Sequence, residues 1–103
     1  MARRIIAGVT VDVNDEGYFT NPAQWTDAVG LEIAREEGIH LSDKHFEVLH
    51  FLRNRYANGD QLTIRAVGES GIIDIKGFYG LFPGAPMKKA AKVAGIPKPR
   101  SCI

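Results

Sequence analysis

The sequence predicts an α+β fold that is mostly α: a small orthogonal helical bundle with an N-terminal β-hairpin and a flexible C-terminal arm. Three observations carry this expectation. Residues 4–13 alternate weakly and hold Ile5, Ile6, Val9, Val11 and Val13, the pattern of a strand with one buried face. Five later segments open at a capping residue or a first-turn proline and close at glycine, asparagine or proline, as helices do. The last nine residues hold two prolines, two bases and the only cysteine, a composition suited to an extended tail rather than an element of the core.

Taken in order, Asn14-Asp15-Glu16-Gly17 reads as a turn, and Tyr18-Phe19-Thr20 as the returning strand of the hairpin. Asn21 then offers a helix cap, with Pro22 at the first helical position and Gln24 placed to reach back. The helix that follows sets Trp25, Val29, Ile33 and Ala34 on one face and ends at Gly38. Ser42 caps the next helix, in which Phe46, Leu49, Leu52, Arg53 and Tyr56 recur at three- and four-residue steps until Asn58-Gly59. Thr63 caps a short helix around 64–69. Asp74 opens another carrying Ile75, Phe78, Tyr79 and Phe82, closed by Pro83-Gly84. Pro86 begins a last helix to about Ala94, with Gly95 as its C-terminal cap. Trp25, Phe46, Leu49, Leu52 and Phe82 are the expected core, and residues 97–103 are expected to be exposed or mobile.

A length of 103 residues suits one domain over 1–103, with the arm over 95–103. No apolar run approaches the roughly 20 residues that span a bilayer, and the stretch after Arg3-Arg4 is too short for a signal peptide. A lone cysteine excludes an internal disulfide framework, so the expected setting is the reducing cytoplasm. The net charge of +1 hides an asymmetry. From Pro83 onward five bases (Lys88, Lys89, Lys92, Lys98, Arg100) face no acid, whereas residues 1–82 hold eight bases against twelve acids. Such a layout favours an acidic partner surface or nucleic acid over a membrane.

Several constellations carry little. His40, His45 and His50 are spaced by five, which turns His45 and His50 about 140° apart on a helix, and no metal set forms around them. Gly77-Phe78-Tyr79-Gly80 lacks the Lys-Ser/Thr of a phosphate loop. The helices around 43–57 and 64–70 could be a helix-turn-helix, yet the second offers only Arg65 as a base, and sequence-specific DNA binding is not expected. Cys102 is left with a possible chemistry. Its thiolate would be the nucleophile, with Lys98 and Arg100 favouring the anion and the terminal carboxylate opposing them. Without a second cysteine it could carry a persulfide or form a mixed disulfide; an incidental exposed thiol is the other reading.

The tail Gly95-Ile96-Pro97-Lys98-Pro99-Arg100-Ser101-Cys102-Ile103 resembles that of the DsrC/TusE family, whose members end in Gly-Leu-Pro-Lys-Pro-x-x-Cys-Val/Ile. Leu81-Phe82-Pro83-Gly84-Ala85-Pro86 is similar to the family's Leu-Phe-Pro-x-Gly-Pro, and Gly17 to Trp25 to its Gly-Tyr-Leu-x-Asn-x-x-x-Trp. The run Leu41 to Phe46, continuing to Phe51-Leu52-Arg53 and Tyr56, resembles its central helix. The resemblance covers nearly the whole chain. DsrC proteins carry a second cysteine eleven residues before the penultimate one, where this sequence has Ala91, and a longer connection where only Gly68 to Ile75 stands here. Both departures resemble the TusE branch.

The resemblance implies a sulfurtransferase that accepts a persulfide on Cys102 and relays it from a TusBCD-like donor complex toward the tRNA thiouridylase. Lys98 and Arg100 would then guide the arm, and Lys88, Lys89 and Lys92 would dock an acidic partner. No cofactor or metal is implied. The alternative it leaves is an accessory partner of dissimilatory sulfite reductase, or a regulatory binding module in which the arm docks without carrying sulfur.

Overall fold

A computed structural model of the chain describes residues 2–99. It begins with an antiparallel hairpin, β1 (Ala2–Ile6) and β2 (Val9–Val13), in which Ala2 faces Val13 and Ile6 faces Val9. The hairpin turns at Ala7-Gly8; residues 14–17 form a turn as expected, closed by the Gly17 N–H to Asn14 O at 3.0 Å, but it follows the hairpin rather than forming it. Ala7 takes φ +50° and Gly8 φ +79°, the doubly left-handed geometry that matches strand twist in a two-residue connection. The stretch read as one strand is therefore two, and Tyr18-Phe19-Thr20 is not a strand. Phe19 instead makes a single bridge to Val13, buried against it.

Asn21 and Thr26 divide the work expected of Asn21 alone. The Asn21 side chain accepts from the Ala23 N–H and caps only a 3-10 turn, Pro22–Gln24. Gln24 does not reach back along the turn; it accepts from the Asp12 N–H at 2.8 Å and donates to the Asp12 carboxylate at 2.9 Å, fastening the turn to β2. Thr26 then caps α1 (Asp27–Glu36) by accepting from the Val29 N–H. Trp25 is thus outside the helix and free to point across the fold.

The remaining helices follow their caps closely. Ser42 opens α2 (Asp43–Ala57), Thr63 opens α3 (Ile64–Gly68) and Asp74 opens α4 (Ile75–Leu81), each accepting from a backbone N–H three residues on. Pro86 stands in the first turn of α5 (Pro86–Val93). His45 completes the cap of α2 in an unusual way. Its Nδ1 accepts from the Ser42 N–H at 3.0 Å, which leaves the proton on Nε2 to be donated to Leu81 O at 2.9 Å. The ring stands edge-on to Phe82, 5.1 Å between centroids. A buried imidazole with both nitrogens engaged joins α2 to the end of α4.

The core gathers around α5, which packs on α1, α2 and α4 and buries Met87, Ala90, Ala91 and Val93. Val29 and Ile33 from α1, Val48, Leu49 and Leu52 from α2, and Phe78 and Phe82 meet it. Of the five residues expected inside, Leu49, Leu52 and Phe82 are fully buried, while Trp25 and Phe46 are half-buried at its edge. The start of the arm also departs from expectation. Ile96 is completely buried, Pro97 is half-buried and Pro99 is buried, with only Lys98 exposed among 97–99. Apolar ring and side-chain surface at Ile96 and Pro99 holds this stretch against the body.

Candidate functional site

The thiol-bearing arm leaves the domain from the end of α5, so the geometry there decides where it goes. Ala94 caps the helix, Gly95 follows at φ +68°, the Ile96 N–H donates to Ala91 O at 3.2 Å and the Gly95 N–H to Lys92 O at 3.3 Å. Together these bonds form a Schellman motif, with Ile96 folded back over the last turn. Ala91, the position at which the resembling DsrC proteins have a cysteine, is fully buried beneath it.

Two side chains from elsewhere close on this turn. The Trp25 indole donates from Nε1 to Val93 O at 2.8 Å. Its two ends are seated against glycines: a Cβ at residue 30 would stand 2.7 Å from Cζ2, and one at residue 95 would stand 2.6 Å from Cγ. Arg53, from α2, lies 4.5 Å over the ring and donates to three carbonyls. Nη1 reaches Ala94 O at 2.8 Å and Gly95 O at 3.4 Å, and Nη2 reaches Pro22 O at 2.8 Å. Burial lowers the Arg53 pKa from its ordinary value, with Asp27 opposing the shift, yet an arginine remains protonated through the neutral range. A cation is well placed here, since the last carbonyls of α5 carry the negative end of the helix dipole.

Beyond Gly95 the arm runs past the end of α2. Pro97, Lys98 and Pro99 line a groove of about 600 Å³ together with Tyr56 and residues 59–63. Tyr56 is one of the few large apolar side chains that remain substantially exposed. Lys98 also binds both carboxylate oxygens of Glu16, at 2.9 and 3.2 Å. Cys102 and Arg100, the residues expected to carry and guide the chemistry, lie outside the described residues, three and one positions beyond Pro99.

The three lysines of α5 are all half-buried and partly committed within the fold. Lys89 Nζ donates to Pro83 O at 2.6 Å, and Lys92 pairs with Glu37 at 3.5 Å while its stem covers Gly17. Lys88 contributes its backbone carbonyl to the buried Tyr18 hydroxyl. No group of three or more His, Cys, Asp or Glu that could hold a metal occurs among the described residues. His50 pairs with Asp27 at 2.9 Å and stands edge-on to Trp25, separate from His45. No described helix is long and apolar enough to cross a membrane.

Sequence reasoning placed Arg53 on the apolar face of its helix and Trp25 in the core without joining them. A cation recurring in register with Leu49, Leu52 and Tyr56 was the available signal, because a charge on a core-facing stripe needs partners.

Comparisons with known proteins agree with this architecture. The family of DsrC like proteins matches residues 5–103, a span that includes Cys102. The sulfurtransferase TusE of Escherichia coli is 35% identical, the alignment covering 96% of this chain and 98% of the relative. That of Salmonella typhimurium is 36% identical over the same shares. Among solved structures, DsrC of Allochromatium vinosum superposes with a TM-score of 0.81 at 31% identity, covering 98% of this chain and 97% of that one. A chain from the crystal structure of dissimilatory sulfite reductase I gives 0.83 at 30% identity, covering 99% and 100%.

Proposed function

This chain belongs to the DsrC-like protein family, and from that premise we propose that it is a sulfur carrier which accepts sulfane sulfur on Cys102 and passes it on. The observation that supports this most is the full-length likeness to sulfurtransferases in a chain with a single, penultimate cysteine.

The chemistry needs no cofactor. The Cys102 thiolate attacks the outer sulfur of a donor persulfide; a new S–S bond forms at Sγ, the donor's S–S bond breaks, and the donor cysteine leaves as its thiolate. Transfer onward repeats the exchange at an acceptor, with no net oxidation in either step. At a pKa of roughly 8.5 an unperturbed thiol already supplies a few per cent of thiolate at neutral pH. Lys98 and Arg100 would favour the anionic sulfur, and Lys88, Lys89 and Lys92 would attract an acidic partner.

In the finer reading the protein works in the cytoplasm, takes sulfur from a TusBCD-like donor and serves a tRNA thiouridylase making 2-thiouridine. A role beside dissimilatory sulfite reductase is the second reading, favoured by the likeness to the sulfite reductase I chain. Ala91 weighs against it, because disulfide and trisulfide chemistry within the arm needs a second sulfur where this chain has a buried methyl.

Incubation with a persulfide donor followed by intact-mass measurement tests the proposal. The wild type gains one sulfur atom and Cys102→Ser gains none while keeping its fold. An unmodified wild-type mass under conditions that load a known carrier refutes it.

A further inference from the structure

We infer that Trp25 and Arg53 are positioning residues of the sulfur-carrying arm: together they lock the turn at 94–96 and so fix the direction in which the chain bearing Cys102 leaves the domain. Two other parts of the sequence converge on that turn. Trp25 ties Val93 O to the segment before α1, and Arg53 bridges Ala94 O and Gly95 O at the arm to Pro22 O on the 3-10 turn. The indole is held between Gly30 and Gly95, so neither it nor the turn can shift alone.

Part of this is capping: the Schellman bonds satisfy Ala91 O and Lys92 O, and Trp25 and Arg53 satisfy the carbonyls that follow, Val93 O, Ala94 O and Gly95 O. Capping alone would not require the same guanidinium to reach Pro22 O as well. What the two side chains add is a connection between the arm's first residue and two other elements. The guanidinium fork is needed for it, because its two nitrogens donate in divergent directions to carbonyls 31 and 41 residues away in sequence. An ammonium at the same place is a point charge on a flexible stem and cannot hold both.

Two readouts separate orientation of the arm from mere stability. The first is amide hydrogen exchange at Ile96, whose N–H bond to Ala91 O reports the turn. The second is transfer of sulfur from loaded Cys102 to an acceptor, compared with alkylation of Cys102 by iodoacetamide, which needs no docking. In Arg53→Lys and in Trp25→Phe we expect Ile96 exchange to accelerate about tenfold or more. The kcat/KM of transfer should fall about tenfold, since small misplacement of a reacting group is amplified in rate. Alkylation should stay within about twofold of wild type. Val11→Ala, in the buried hairpin, serves as a control of comparable stability loss and should leave both transfer and Ile96 exchange near wild type.

Unchanged Ile96 exchange in both variants overturns the inference. So does faster exchange with normal transfer, or an equal loss of transfer in Val11→Ala. The transfer arm rests on the carrier reading. If the wild type accepts no sulfur, that reading fails, and the positioning of the arm stands or falls on Ile96 exchange alone.

Discussion

Gly95→Ala should be among the most damaging single-methyl changes in this protein, and the structure says by how much. Residue 95 sits at φ +68°, where any L side chain strains the backbone by about 1–2 kcal/mol. The new Cβ would also stand 2.6 Å from Cγ of Trp25. Relieving that overlap means moving an indole already seated against Gly30 and bonded to Val93 O, an overpacking cost of about 1–3 kcal/mol. The expected total is about 2–5 kcal/mol. Gly59 provides the internal control. It occupies the same position in the Schellman turn ending α2, at φ +78°, but a Cβ there meets nothing within 4 Å. Gly59→Ala should therefore cost only the backbone part, about 1–2 kcal/mol. Entropy lost by the unfolded chain is common to both substitutions and cancels in the comparison. Urea titrations followed by far-ultraviolet circular dichroism give each value. In a Trp25→Ala background, Gly95→Ala should fall to the Gly59→Ala level, a coupling of about 1–3 kcal/mol. Equal costs for the two glycines in the intact protein, or no coupling to Trp25, would refute the seated-indole account.

Other outcomes follow from the same structure. His45→Ala should cost about 2–4 kcal/mol in a denaturant titration, because it removes the bonds to Ser42 N–H and Leu81 O and the contact with Phe82; a loss below about 1 kcal/mol would contradict it. Replacing Lys88, Lys89 and Lys92 together by Gln should weaken capture of the sulfur donor or acceptor and flatten its salt dependence, as screened attraction predicts. Salt titration of binding checks this, with a melting curve to separate the loss of the Lys89 and Lys92 bonds. Arg65→Ala should leave sulfur transfer within about twofold of wild type, since its ion pair to Glu69 is an exposed i,i+4 contact; loss of specific duplex binding at this residue, with transfer intact, would favour a regulatory role.

Helix ends were the most legible part of this fold. Ser42, Thr63, Asp74, Pro86 and Gly95 mark boundaries through bonds that close within a few residues, so the local sequence contains all the partners. The hairpin was misread because Ala7-Gly8 sits inside an alternating apolar run, whereas 14–17, which is a turn, carries the stronger turn composition and drew the hairpin to itself. The first helix was placed early because Asn21-Pro22 is a true cap signal spent on a single 3-10 turn. Most of the arm's environment was hidden for a different reason. Lys98 meets Glu16 across 82 residues, and Arg53 reaches Ala94 across 41. Contacts at such separations leave no periodic trace in a single sequence. The motif carrying Cys102 was visible from the start, but the anchoring of its base was not.

The burial of Pro99 changes the arithmetic of encounter. A tether fixed at Gly95 would leave seven residues before the thiol, enough contour to let it range over about 24 Å; fixed at Pro99, only three remain, or about 11 Å. The volume within that contour goes as the cube of the radius, so an anchor at Pro99 rather than at Gly95 sets an upper bound about ten times smaller on the region within reach of position 102. On the carrier proposal, a partner seated beside Tyr56 and the 59–63 loop would meet the sulfur at correspondingly higher effective concentration. The same tether shortens the distance over which that partner can stand off. If Cys102 carries the sulfur as proposed, donor and acceptor would have to approach the same face of the domain, and to take turns there.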